Sequence, residues 1–166
     1  MVSKIAFLMN GEAEGVTLPK QFSWKVLPDG RWDYDNGTHK GIGHFITVAY
    51  SGAHGEASPA DHGLHLGDVV GVAEGRCWRV KATRTAAPFD CWGIAMGWYE
   101  DSDGVLVQIT GTVKGIGSEW HPGTRCCLPF YGYGKPEQAT PRNSHIFPIG
   151  LALTRTDMLL TPRIDW

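Results

Sequence analysis

Five residues able to hold a metal or move a proton crowd one stretch of this chain: His54, Glu56, Asp61, His62 and His65. Zinc takes three or four N, O or S ligands in tetrahedral geometry, presented from ordered elements. The His62-x-x-His65 spacing suits that chemistry. Gly63 and the surrounding Gly, Ala, Ser and Pro residues do not preorganise it, and solvated loop histidines are the favoured explanation. His39, His44, His121 and His145 carry no pattern. Asp101-x-Asp103-Gly104 opens like a calcium loop but lacks the later bidentate Glu and the flanking helices, so a hairpin turn explains it more simply.

The remaining chemistry is equally sparse. Cys77, Cys91, Cys126 and Cys127 sit in no nucleophile elbow and beside no His signature, and they read as small buried hydrophobes. Gly41-x-Gly43 and Gly115-x-Gly117 are not phosphate loops, because neither opens a helix. The chain has 7 Trp. Trp24, Trp32, Trp92 and Trp98 lie on strand patterns and are expected in a core or a subunit interface. Trp120, between Glu119 and His121 at a turn, is the candidate exposed aromatic, and Trp166 is expected to dock onto the body or a neighbour. The expectation is therefore a non-enzymatic protein with no catalytic, cofactor-binding or metal residues.

The elements that carry these residues are strands. Gly and Pro interrupt the chain so often (22 and 10 residues) that long helices are excluded, and the longest run free of both, 76–87, holds Trp78, Val80, Thr83 and Thr85, which favour strands. The strongest pattern spans 89–113. Ile94, Met96 and Trp98 share a face, Asp101–Gly104 turns, and Val105, Val107, Ile109 and Val113 share a face of the returning strand. Phe22, Trp24 and Val26 alternate before the Pro28-Asp29-Gly30 turn, and Trp32 and Tyr34 return, which is a second hairpin. Residues 51–63 are expected to form an exposed loop. Ile94, Met96, Val105, Val107, Ile109, Leu151 and Leu153 are the expected core.

A short grammar recurs. Leu66-Gly67-Asp68-Val69 matches Pro122-Gly123-Thr124-Arg125, and Trp92-Gly93-Ile94-Ala95 matches Ile149-Gly150-Leu151-Ala152 at nearly the same offset. The expected fold is all-β: a small barrel or sandwich of short antiparallel strands in two related halves, with an N-terminal arm and hairpin. Residues 1–63 comprise the arm, hairpin and loop, and residues 64–166 a barrel-like module with internal duplication. A net charge of −2 gives no general attraction to nucleic acid or to an anionic membrane. There is no apolar run near 18 residues and no signal-peptide core, which fits synthesis in a reducing cytoplasm with free thiols.

The ordered series His65-Leu66-Gly67-Asp68-Val69, Gly93-Ile94-Ala95, Gly104 to Val113, Pro122 to Leu128 and Pro148 to Leu153 resembles a β-module of tailed-phage virion proteins. That module occurs in capsid decoration (cement) proteins, head fibres and parts of tail fibres. The resemblance implies a non-enzymatic structural protein, commonly a homotrimer, made in the host cytoplasm and placed on the capsid surface against the major capsid protein. Within that frame the N-terminal segment, with Ile5, Phe7, Leu8, Glu12 and Glu14, is the candidate capsid anchor, added as a strand to its partner. The alternative is a tail-fibre or lectin-like glycan-binding module that uses exposed aromatics such as Trp120.

Overall fold

The computed structural model describes residues 16–17, 23–54, 63–81, 89–99, 103–130, 132–140 and 148–161. The candidate anchor residues Ile5, Phe7, Leu8, Glu12 and Glu14 lie outside these, as do Glu56, Asp61 and His62 of the loop. All regular structure among the described residues is β.

The central hairpin forms as its alternation predicts. Strand β8 (Cys91–Tyr99) pairs antiparallel with β9 (Gly104–Gln108), Trp98 opposite Val105. The sequence suggests one apolar face, but two are buried. Ala95, Val105 and Val107 point into one cluster, and Ile94, Met96 and Leu106 into another. Closure is the reason. Strands β5 (Phe45–Ala53), β6 (Val69–Ala73) and β7 (Arg76–Arg79) join the hairpin in the order β8-β6-β7-β5-β9, and β9 pairs back onto β8. A small closed barrel has room only for side chains inside. Here Val48, Val70, Val72, Cys77, Ala95, Val105 and Val107 fill it. Strand β1 (Val16–Thr17) adds at the end of β8.

The barrel's outer face is covered by a second, antiparallel sheet. Its strands are β2 (Ser23–Val26), β3 (Trp32–Asp35), β4 (Lys40–Gly43), β10 (Gly111–Lys114), β11 (Arg125–Cys127), β12 (Glu137–Gln138), β13 (Pro148–Ala152) and β14 (Met158–Leu160). They run in the order β12-β11-β13-β14-β10-β4-β3-β2. Tyr34, Val113, Cys126, Met158 and Leu160 of this sheet pack with Val69, Ile94, Met96 and Leu106 of the barrel. Each large side chain buried this way contributes about 1.5–3 kcal/mol relative to exposure. Polar contacts fix the docking: Tyr34 Oη and Asn36 Nδ2 both donate to the Met96 carbonyl, at 3.2 and 3.0 Å.

The two related halves take a definite form. Strands β5 to β9 lie in the order β7-β6-β8-β9-β5, and β10 to β14 repeat it as β12-β11-β13-β14-β10. The hydrogen bonds repeat as well. Gly67 N donates to Ala95 O and Ala95 N to Asp68 O, at 2.8 and 2.9 Å; Gly123 N donates to Ala152 O and Ala152 N to Thr124 O, at 2.7 and 2.8 Å. Gly67 and Gly123 hold φ of +95° and +88°, a left-handed turn that glycine enters without a Cβ penalty. Strand β5, which precedes residue 64, is a wall of the first unit.

Three expectations need correction. Leu151 is only half-buried and joins neither core cluster. Leu153 is 45% exposed, because it begins the bend 153–156 that leads to β14 and no longer faces the sheet. Val113 does not continue the strand of Val105 and Val107. The chain leaves β9 at Ile109 and enters the other sheet as β10, so Val113 belongs to the inter-sheet core.

Candidate functional site

Of the five residues that the sequence singles out, His54 and His65 are described, and both lie beside a polar cluster built on Asp68, Arg79 and Tyr133. Asp68 is buried and accepts a hydrogen bond from His65 N at 2.9 Å, and the His65 ring Nδ1 lies 3.8 Å from the same carboxylate oxygen. Burial pushes the Asp68 carboxyl above its ordinary value, moderated by the His65 amide and the charges of His65, Arg79 and Lys135. Arg79 donates to Tyr50 Oη at 3.1 Å and to Gly63 O at 3.1 Å. Arg79 and Lys81 each lie 4.7 Å from the Tyr133 ring centroid, and Tyr133 Oη donates to His54 O at 2.8 Å. These contacts tie β5, β7 and the 132–135 segment together. Among the described residues no three His, Cys, Asp or Glu side chains are grouped to hold a metal ion.

The second unit has a groove of about 380 Å³, lined by Ile116, Ser118, Trp120, Lys135, Pro136 and Gln138 among others. The strand pairings of the two repeats explain it. In the first unit Ala49, Tyr50 and Ala53 of β5 pair in parallel with Arg76, Cys77 and Arg79 of β7, which closes the barrel. The matching positions are Ile116, Gly117 and Trp120 against Lys135, Pro136 and Gln138. They remain apart for three reasons. The indole of Trp120 stands where the first unit has the methyl of Ala53. Pro136 has no N–H to donate. The Ile116 N–H, whose match Ala49 N donates to Gly75 O beside β7, donates instead to the Thr156 carbonyl. One link survives in altered form: His54 N donates to the backbone carbonyl of Arg79, whereas His121 N donates to the side-chain Oε1 of Gln138, at 2.6 Å.

Trp120 is thus a wedge and not the exposed aromatic that its neighbours suggest. It is 6% exposed, packed on Gly117 and joined to the inter-sheet core. A sugar-stacking platform needs an open ring face. Glu119 beside it holds a left-handed φ of +58° and pairs with Arg155.

The four cysteines are free. Burial pushes the thiols of Cys77 and Cys126 up to about 12 and that of Cys127 to about 11, and raises Cys91 as well. The neighbouring charge of Asp103 adds to the effect at Cys77, and that of Asp90 at Cys91. Thiolate chemistry needs the opposite shift.

His39 is the residue that sequence reasoning missed. It is 2% exposed, with Nδ1 3.1 Å from Gly115 O and Nε2 3.3 Å from Leu66 O. The ring therefore bridges the turn of the first unit and the bend that follows β10 in the second. Its only local signal is Asn36, whose Oδ1 accepts from Thr38 N and His39 N. No family model, curated protein or solved structure matches this chain.

Proposed function

We propose that this chain is a non-enzymatic structural protein of a tailed-phage virion: a homotrimeric capsid decoration or head-fibre protein that binds the major capsid protein and stabilises the shell. One observation carries the proposal. Four of the five motifs behind the resemblance form two pairs at equivalent places in the two five-stranded units, where they serve backbone geometry and packing. Gly67 and Gly123 make the same turn, and Gly93 and Gly150 make the same close approach, to Gln108 O and Leu159 O of the adjoining strand. A duplicated, tightly packed β-unit suits a wedge that buries its flanks against copies of itself around a threefold axis. The inert thiols and the wedge role of Trp120 agree with a protein that works by shape.

Sedimentation velocity should return a trimer, and the protein should co-sediment with shells assembled from the major capsid protein at a fixed ratio. A monomer at micromolar concentration would sink the trimer, and absence from the shells would sink the decoration role.

A further inference from the structure

Among the described residues strand β2 ends the eight-stranded sheet and pairs with β3 alone. Its phase follows from the turn. Leu27 N donates to Arg31 O, so the hydrogen-bonded pairs are Leu27 with Arg31, Lys25 with Asp33, and Ser23 with Asp35. The N–H and C=O groups of Trp24 and Val26 therefore point away from the sheet, and among the described residues they have no partner. Val26 is 47% exposed. The Trp24 indole meets Trp32 edge-on at 5.0 Å, and its Nε1 is buried without an acceptor among the described residues.

We propose that this edge is a strand-addition site for an extended segment of the shell protein, one with a carboxylate opposite Lys25 and small or apolar residues on either side. The inference rests on the decoration reading for its partner, but the chemistry comes from the edge. Outward groups on Trp24 and Val26 give a main-chain ladder of up to four hydrogen bonds, about the number that alternate residues of a short added strand supply. Charge selects the occupant. In the register that pairs Trp24 with Val26 of a second copy, and so uses all four outward groups, Lys25 would stand against Lys25 in the closest cross-strand position, which is unfavourable. Lys25 also lacks a carboxylate of its own: Asp33 is shared with Lys40, at 4.0 and 3.9 Å. An acidic residue beside Lys25 extends the alternation of sign across the edge, and small neighbours leave room for Trp24 and Val26.

The test uses the full chain with Val26→Pro, which removes one outward donor at a site where an edge strand tolerates proline, and with Lys25→Glu, which reverses the selecting charge. Both should keep the wild-type melting temperature within a few degrees and lose about tenfold or more in affinity for assembled shells. Unchanged decoration by both variants overturns the proposal. If the wild type ignores shells, a capped pentapeptide with a central Glu is compared with its central-Lys counterpart by Trp fluorescence. Preference for Glu, lost in Lys25→Glu, keeps the edge site while the decoration reading fails; no preference overturns the site. Binding that appears only after residues 1–15 are deleted would also overturn the proposal, because the acidic segment around Glu12 and Glu14 would then be the occupant.

Discussion

The carboxamide of Gln108 fills the space that a side chain on Gly41 would need: a Cβ there would overlap Gln108 Oε1 and Cδ. Gln108 is fully buried on the outer face of the barrel and donates through Nε2 to Thr110 O and Thr112 O, both at 2.9 Å. It thereby stitches β9 to the start of β10, the point at which the chain changes sheets. Gly41→Ala should cost about 1–3 kcal/mol by overpacking. In a double-mutant cycle with Gln108→Ala the two losses should be less than additive by about 0.5–3 kcal/mol, because the smaller residue removes the clash. Urea melts of the four proteins measure this, and strict additivity would refute the contact.

His39 should make stability depend on pH. Its pKa is lowered, first by burial and then by the charge of Lys135, while hydrogen bonds to Leu66 O and Gly115 O pull weakly the other way. The unfolded chain then binds the proton more readily than the folded one. The contribution is therefore complete above the ordinary histidine pKa and is lost as pH falls below it. Asp68, with its raised pKa, has the opposite sign: its penalty is present at neutral pH and disappears in acid. Between pH 7.5 and 5.5 the wild-type melting temperature should drop more than that of His39→Gln. Parallel curves would show that His39 is not the titrating group.

Much of this arrangement was legible, and the failures have identifiable causes. Period-2 alternation located β8, β9 and the β2–β3 hairpin because their side chains face a dense core on one side at least. The same rule ran on from Val107 to Val113, since alternation carries no mark where one strand ends and another begins. The mark is Gly111, at φ +93°, where a Cβ would strike the Ile42 carbonyl. Trp120 looked exposed because Glu119 and His121 flank it, but flanking charge reports on the backbone's surroundings and not on where an indole lies. His39 left almost no signal, since its partners are carbonyl oxygens of Leu66 and Gly115, distant in sequence and identical in every residue type.

Trp120→Ala should cost about 3–5 kcal/mol, the range for emptying a buried aromatic site. Gly117→Ala should also destabilise, since its Cβ would press on the Trp120 ring. Chemical denaturation gives both values. A loss below about 1 kcal/mol for Trp120→Ala would mean that the seam closes without its wedge.

The thiols give a direct readout of burial. Native protein at pH 8 should react slowly with a disulfide reagent, Cys91 first because it is the least buried of the four, and all four should react at once in guanidinium. Rapid native labelling of Cys77 or Cys126 would contradict the barrel and inter-sheet cores that hold them.

In both units the first strand lies beside the last: β5 against β9, and β10 against β14. A unit whose entry and exit are neighbours can be copied in tandem without rethreading the chain, and only Ile109 and Thr110 separate the two copies. One unit closes its ring, while in the other the outer edge of the first strand pairs with β4, which carries β3 and β2. Ancestry by duplication would thus account for both the sealed half of this molecule and the spreading one.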